Sequence, residues 1–157
     1  MRTTVTLTSG ELLVAKSVTI SGAGADVLAV DGNNSSRVFR IVFSGETVTI
    51  SGFTIRNGHA GTTGGGVDNE NPATLIITNC AVSSNSAGLG GSAFNSGMLT
   101  IAGSTFSGNS ATEGGGAYNS GGGTLTINNS IISGNTATTA GGWYPQPGRS
   151  YGYEQHV

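Results

Sequence analysis

The stretch GGGAYNSGGGTLTINNSIISGN, residues 114–135, has two relatives upstream in the same chain. They are GGSAFNSGMLTIAGSTFSGN at residues 90–109 and, more loosely, GGGVDNENPATLIITNCAVSSN at residues 64–85. Copies of one unit about 25 residues apart restrict the chain to repeat architectures, in which each unit buries its apolar face against the next. Ile50, Ile77, Ile101 and Ile127 form one column of the repeat, at separations of 27, 24 and 26. Asn85, Asn109 and Asn135 form a second column, and Asn69, Asn95 and Asn119 a third.

Apolar residues inside a unit alternate with period two, and no stretch carries the 3.6-residue period of a helix. A leucine-rich repeat would share the unit length but needs an LxxLxLxxN frame that is missing, and a propeller blade would need about 40 residues. Short strands joined by Gly and Asn turns fit a solenoid in which each unit makes one coil and equivalent strands stack as parallel sheets about 4.8 Å apart. The sequence therefore predicts an all-β fold, a right-handed parallel β-helix of about six coils with two or three short strands per coil and no substantial helix. The β-helix spans residues 1–143, with irregular coils over 1–60 and regular repeats over 61–143. A non-repeating tail or cap covers 144–157.

Each column has a physical reason. Glycines at 64–66, 90–91, 114–116 and 141–142 fall at one corner, where positive φ or close backbone approach excludes a side chain. The Asn columns fall at strand ends, where Asn tolerates left-handed backbone and its amide can bond the Asn of the next coil, so they are read as structural ladders. Cys80 is the one cysteine, aligned with Ser104 and Ser130, and reads as a small buried residue with no intrachain disulfide.

Upstream the pattern loosens. TVTLT places Val5 and Leu7 on the inner face of a half-buried strand, and SVTIS does the same for Val18 and Ile20. Residues 12–14, 27–30 and 38–43 read as further short strands. ETVTISGFTIRNG reads as two more, with Val48, Ile50, Phe53 and Ile55 inward.

Only 9% of the residues are charged and the net charge is -2, which excludes a basic nucleic-acid surface. No apolar run approaches the roughly 18 residues of a membrane span, so this segment is not expected to insert in a bilayer. The 28 glycines follow no G-x-y period, and the fixed apolar register is foreign to a disordered linker. No cofactor is expected.

The segments TVTLTSGELLVAKSVTISGAGAD and VTISGFTIRNG, with the repeated GG-G/S-A-Y/F-N, LTI and SGN elements, resemble right-handed parallel β-helix repeats of the pectin lyase-like superfamily. They are most similar to those of bacterial polymorphic outer membrane protein-like and choice-of-anchor surface proteins. The resemblance covers residues 3–142. It implies an extracellular or cell-surface location, a structural or adhesive role, and glycans or cell surfaces as partners, but no particular activity.

Carbohydrate-active members of that superfamily resemble one another in clustering carboxylates beside an Arg or Lys, with Ca²⁺ or as acid and base. The candidates here are Asp68 and Glu70, two apart on one strand, with Arg56 about one strand earlier. Ca²⁺ is expected only under that alternative, a polysaccharide lyase or hydrolase. The regular copies put Phe94 and Tyr118 in the place of Asp68, and Ser96 and Ser120 in that of Glu70, so the carboxylates come from a single coil. Arg37 and Arg40 flank an early strand without evident acidic partners, and Glu113 stands alone. The preferred reading is a non-catalytic domain.

A third reading rests on outward Thr47, Thr49, Thr74, Thr100, Thr124 and Thr126, with Thr6, Thr8, Ser17 and Thr19 as earlier pairs. These T-x-T rows resemble the faces of ice-binding solenoids, although Ile76 and Met98 interrupt them and Thr is in any case well suited to strands. In the tail, Trp143, Tyr144, Tyr151 and Tyr153 are expected to cap the last coil or to meet another copy. Open solenoid ends favour end-to-end homo-oligomers. His59 and His156 read as solvated.

Overall fold

The computed structural model describes residues 2–42, 45 and 47–140. The corner expected at 141–142, Trp143 and the tail at 144–157 lie outside the described residues, as does the expected strand's end at Phe43. The described chain is an all-β parallel solenoid of about five turns without a helix.

An incomplete first turn supplies β1 (Thr3–Thr6) and β2 (Leu12–Val14). The second supplies β3 (Val18–Ser21), β4 (Leu28–Asp31) and β5 (Phe39–Ile41). Regular turns follow: β6 (Thr47–Ser51), β7 (Thr54–Arg56), β8 (His59–Thr63) and β9 (Val67–Asn69), then β10 (Thr74–Thr78), β11 (Ala81–Ser83), β12 (Ser86–Leu89) and β13 (Ala93–Asn95). The next holds β14 (Met98–Ala102), β15 (Thr105–Ser107), β16 (Ser110–Glu113) and β17 (Ala117–Asn119), and β18 (Thr124–Asn128), β19 (Ile131–Ser133) and β20 (Thr136–Ala140) begin another.

Equivalent strands pair in parallel into four sheets. Sheet I is β3-β6-β10-β14-β18, sheet II β1-β4-β7-β11-β15-β19, sheet III β8-β12-β16-β20 and sheet IV β2-β5-β9-β13-β17. A regular turn thus has four strands where the sequence predicts two or three. The unforeseen ones make sheet III: HAGTT, SAGL, SATE and TATTA carry no apolar alternation. They form because neighbouring turns satisfy their backbone groups, as where Ser86 N donates to Gly58 O at 2.8 Å and Ser110 N to Asn85 O at 2.9 Å.

Three corners per turn are left-handed. Gly52, Asn79, Gly103 and Asn129 have φ of 69, 52, 56 and 45°, and lie between sheets I and II. Asn57, Ser84, Gly108 and Gly134 (52, 56, 64 and 61°) separate sheets II and III. Gly64, Gly90 and Gly114 (56, 67 and 63°) separate sheets III and IV. The Asn columns themselves are therefore not the left-handed residues expected; in the column of Asn85, Asn109 and Asn135 the preceding residue is, and beside Asn69, Asn95 and Asn119 no neighbour is. The corner back to sheet I is closed by residues 70–73, 96–97 and 120–123. Its changing length is one source of the uneven repeat.

The core is a stack of like on like. Val48, Leu75, Leu99 and Leu125 are in register, as are Ile50, Ile77, Ile101 and Ile127, with exposures from 0 to 6%. Ile55, Val82, Phe106 and Ile132 face them from sheet II. Each fully buried member contributes on the order of 1.5–3 kcal/mol. The first turn departs from expectation: Val5 pairs with Val30 but is 49% exposed, because β1 is an edge strand covered on one side only. Thr6 sits opposite Asp31 in sheet II, so the early Thr6 and Thr8 pair does not belong to the threonine rows of sheet I.

Candidate functional site

Chemistry-bearing side chains gather on the outer face of sheet IV. In each of its later strands the flanking residues turn inward, as Phe39 and Ile41, Val67 and Asn69, or Ala93 and Asn95 do. The middle residue turns outward. Register then aligns Leu13, Arg40, Asp68, Phe94 and Tyr118 in one column along the axis. The Phe94 and Tyr118 rings stack with centroids 5.6 Å apart and planes inclined by 7°.

Below the rings lies an ion-pair network drawn from three successive turns. Arg37 is buried and donates from Nη1 to Glu11 Oε2 (2.8 Å), from Nε to Gly64 O (2.9 Å) and from Nη2 to Thr63 O (2.6 Å). Its Nη2 also stands 3.2 Å from Asp68 Oδ2, which accepts a hydrogen bond from Thr63 Oγ1 at 2.7 Å. Arg40 donates to Glu70 Oε1 at 2.7 Å and lies 3.5 Å from Glu11 Oε1. The hydrogen bond that Arg40 donates to Glu70 holds its guanidinium above the ordinary pKa. Asp68 is only 3% exposed, and its Oδ1 has no partner among the described residues. Burial lifts its carboxyl above the ordinary value of 3.8, and the Thr63 bond and the Arg37 charge oppose that shift without cancelling it.

This arrangement corrects two expectations. Arg37 and Arg40 do have acidic partners, and those partners include both candidate carboxylates. Arg56, by contrast, does not join Asp68 and Glu70: it ends β7 in sheet II, where its Nε meets Asp31 Oδ2 at 2.9 Å and its Nη2 reaches Thr4 Oγ1 at 3.4 Å. Glu11, Arg37, Arg40 and Thr63 are the members that sequence reasoning missed. Aligning FRI of β5 on VDN of β9 would have set Arg40 beside Asp68, but the irregular early coils hide that register.

The two Asn columns are hydrogen-bonded ladders. Asn69 Nδ2 donates to Asn95 Oδ1 (2.8 Å), and Asn95 Nδ2 to Asn119 Oδ1 (2.6 Å). Asn85 Nδ2 donates to Asn109 Oδ1 and Asn109 Nδ2 to Asn135 Oδ1, at 3.0 and 2.9 Å. Each rung also donates to a backbone carbonyl, for example Asn95 to Thr124 O at 3.0 Å. The Oδ1 of Asn69 has no partner among the described residues, because the residue below it in register is Ile41. Cys80 is buried, and burial raises its thiol pKa; Ser104 and Ser130 take its place in the next turns.

On sheet I the outward rows are Thr47, Thr74, Met98 and Thr124, and Thr19, Thr49, Ile76, Thr100 and Thr126. Met98 and Ile76 break both rows. Sheet III carries a shallow open groove lined by His59, Ala60, Ser86, Ala87 and Ser110, in which His59 Nδ1 and Ser86 Oγ are 2.9 Å apart. Among the described residues no group of three or more His, Cys, Asp or Glu side chains is placed to hold a metal ion, and no helix is long and apolar enough to cross a membrane. No family model, curated protein or solved structure matches the chain.

Proposed function

We propose that this chain is a non-catalytic repeat domain of an extracellular or cell-surface protein, structural or adhesive in role, with glycans or cell surfaces as partners. The observation that carries this reading is the commitment of the Asp68 and Glu70 carboxylates to Arg37, Arg40 and Thr63. Acid–base or Ca²⁺-assisted cleavage of a polysaccharide needs carboxylates that a substrate can reach and a cation that is free to meet its charge. Asp68 is sealed from solvent, and the nearby guanidiniums are spent on joining one turn to the next. The resemblance to pectin lyase-like repeats of polymorphic outer membrane protein-like and choice-of-anchor surface proteins supports the location, and the parallel solenoid agrees with it in architecture.

The test sets binding against turnover. Purified protein is expected to adhere to cells or to immobilised glycans while leaving pectate and alginate intact, with and without Ca²⁺. Unsaturated or shortened products from either polymer would favour the lyase or hydrolase alternative and overturn the reading.

A further inference from the structure

The bond from Thr63 Oγ1 to Asp68 Oδ2 crosses the outside of the glycine corner between sheets III and IV. The last residue of β8 and the middle residue of β9 therefore face each other there. Register repeats the arrangement turn by turn. Leu89 and Glu113 follow Thr63, while Phe94 and Tyr118 follow Asp68. The corner between them stays bare, because a Cβ on Gly64, Gly90 or Gly114 would run into the carbonyl of Val67, Ala93 or Ala117. The outcome is a strip parallel to the axis: Thr63 and Asp68 at one end, Leu89 and the Phe94 ring in the middle, Glu113 and the Tyr118 ring above.

The charges along this strip select a ligand class. Its two cations, Arg37 and Arg40, are bound to Glu11, Asp68 and Glu70, and Glu113 adds a further carboxylate. Carboxylates outnumber guanidiniums, so an anionic polymer meets repulsion and no free cation. Stacked rings and a leucine offer apolar contact to the C–H faces of a sugar, while the Glu113 carboxylate accepts from its hydroxyls. Neighbouring rungs are about 4.8 Å apart, a spacing suited to successive units of an extended chain. We infer that the strip formed by Leu89, Phe94, Glu113 and Tyr118 beside the glycine corner binds an uncharged linear polysaccharide laid along the solenoid axis. The inference rests on the reading of the domain as a glycan-contacting one.

Affinity gel electrophoresis with hydroxyethyl cellulose, galactomannan, xylan and polygalacturonate tests it. The wild type should be retarded by at least one of the three neutral polymers and not by polygalacturonate. Phe94→Ala is expected to weaken that retardation at least tenfold. Glu113→Gln, which alters no packing, should weaken it several-fold and keeps the test decisive should Phe94→Ala unfold. Retardation by polygalacturonate alone would overturn the inference. So would neutral-polymer binding that survives Glu113→Gln unchanged but is lost in Thr49→Lys on sheet I, a result that leaves the glycan-contacting role intact and moves the site. Absence of binding to any glycan or cell would remove the functional reading and the inference together.

Discussion

Replacing Arg37 by Met offers a direct test of what holds the irregular turns to the regular ones. Arg37 is 8% exposed and reaches Glu11 in the first turn and Thr63, Gly64 and Asp68 in the third. Met fills much of the same volume but leaves the Asp68 carboxylate, 3% exposed, without its nearest cation. Removing one partner of a buried ion pair costs about 3–5 kcal/mol. Asp68→Asn should behave differently. Its amide oxygen can still accept from Thr63, and the charge that burial disfavours is gone, so the change should stay within about 1 kcal/mol of wild type. The double variant Arg37→Met/Asp68→Asn should then be more stable than Arg37→Met alone by about 1–3 kcal/mol. Urea denaturation at pH 7 measures all three.

The pH dependence supplies a second readout. Because the folded pKa of Asp68 is raised, the native state binds that proton more tightly than the unfolded chain does. Through this group, stability falls as pH rises from the ordinary value of 3.8 through the raised one, and recovers on acidification. The deficit of Arg37→Met should accordingly shrink as pH is lowered from neutral, and Asp68→Asn should abolish that shrinkage. A cost below about 1 kcal/mol for Arg37→Met, or additive effects in the double variant, would refute the account of a charge buried and compensated in place.

Asn95→Ala deprives Asn119 Oδ1 of its donor and removes an acceptor from Asn69, so it should cost about 2–4 kcal/mol in the same urea assay. Ile41→Asn places a donor beneath the unpartnered Asn69 Oδ1, and its midpoint should fall less than that of Ile50→Asn, where no such acceptor waits. Gly65→Ala should prevent folding, since its Cβ would strike the carbonyls of Ser86 and Gly91, whereas Gly61→Ala meets nothing within 4 Å and should leave the far-UV spectrum and melting point unchanged. Cys80 should react with a thiol reagent only on unfolding, and Cys80→Ser should be close to neutral because Ser104 already donates to the carbonyl two residues back, at 2.9 Å.

The columns of Ile50, Ile77, Ile101 and Ile127 and the two Asn columns were legible because each repeats a distinctive side chain at a nearly constant interval. The same regularity gave the glycine corner and the parallel stacking. Sheet III was not legible: Ala60, Ala87 and Ala111 sit among Gly, Ser and Thr, with His59, Leu89 and Glu113 only at strand ends, so period two leaves no trace. The site was half legible. Asp68 and Glu70 were singled out, but their cations had to be found 30 residues back, at Arg40, or just before it, at Arg37. Arg56 is nearer to them in sequence, but coil geometry sends it to another sheet, where it meets Asp31.

The two asparagine ladders point the same way: each amide-to-amide bond is donated toward the turn that comes later in the chain. A ladder of this kind has an arrow, since each rung presents a carboxamide oxygen to one side and NH₂ to the other. Oriented dipoles in a row polarise one another, so a rung in mid-stack should be held more firmly than a pairwise count suggests. The arrow also sets a grammar for lengthening the molecule. A whole extra turn copied from residues 98–123 would arrive with its own acceptor and donor in the right order and could be spliced between two existing turns. A turn of reversed polarity, or part of one, would bring two donors or two acceptors face to face in the dry interior. Growth by duplicating complete units is thus written into the hydrogen bonding itself.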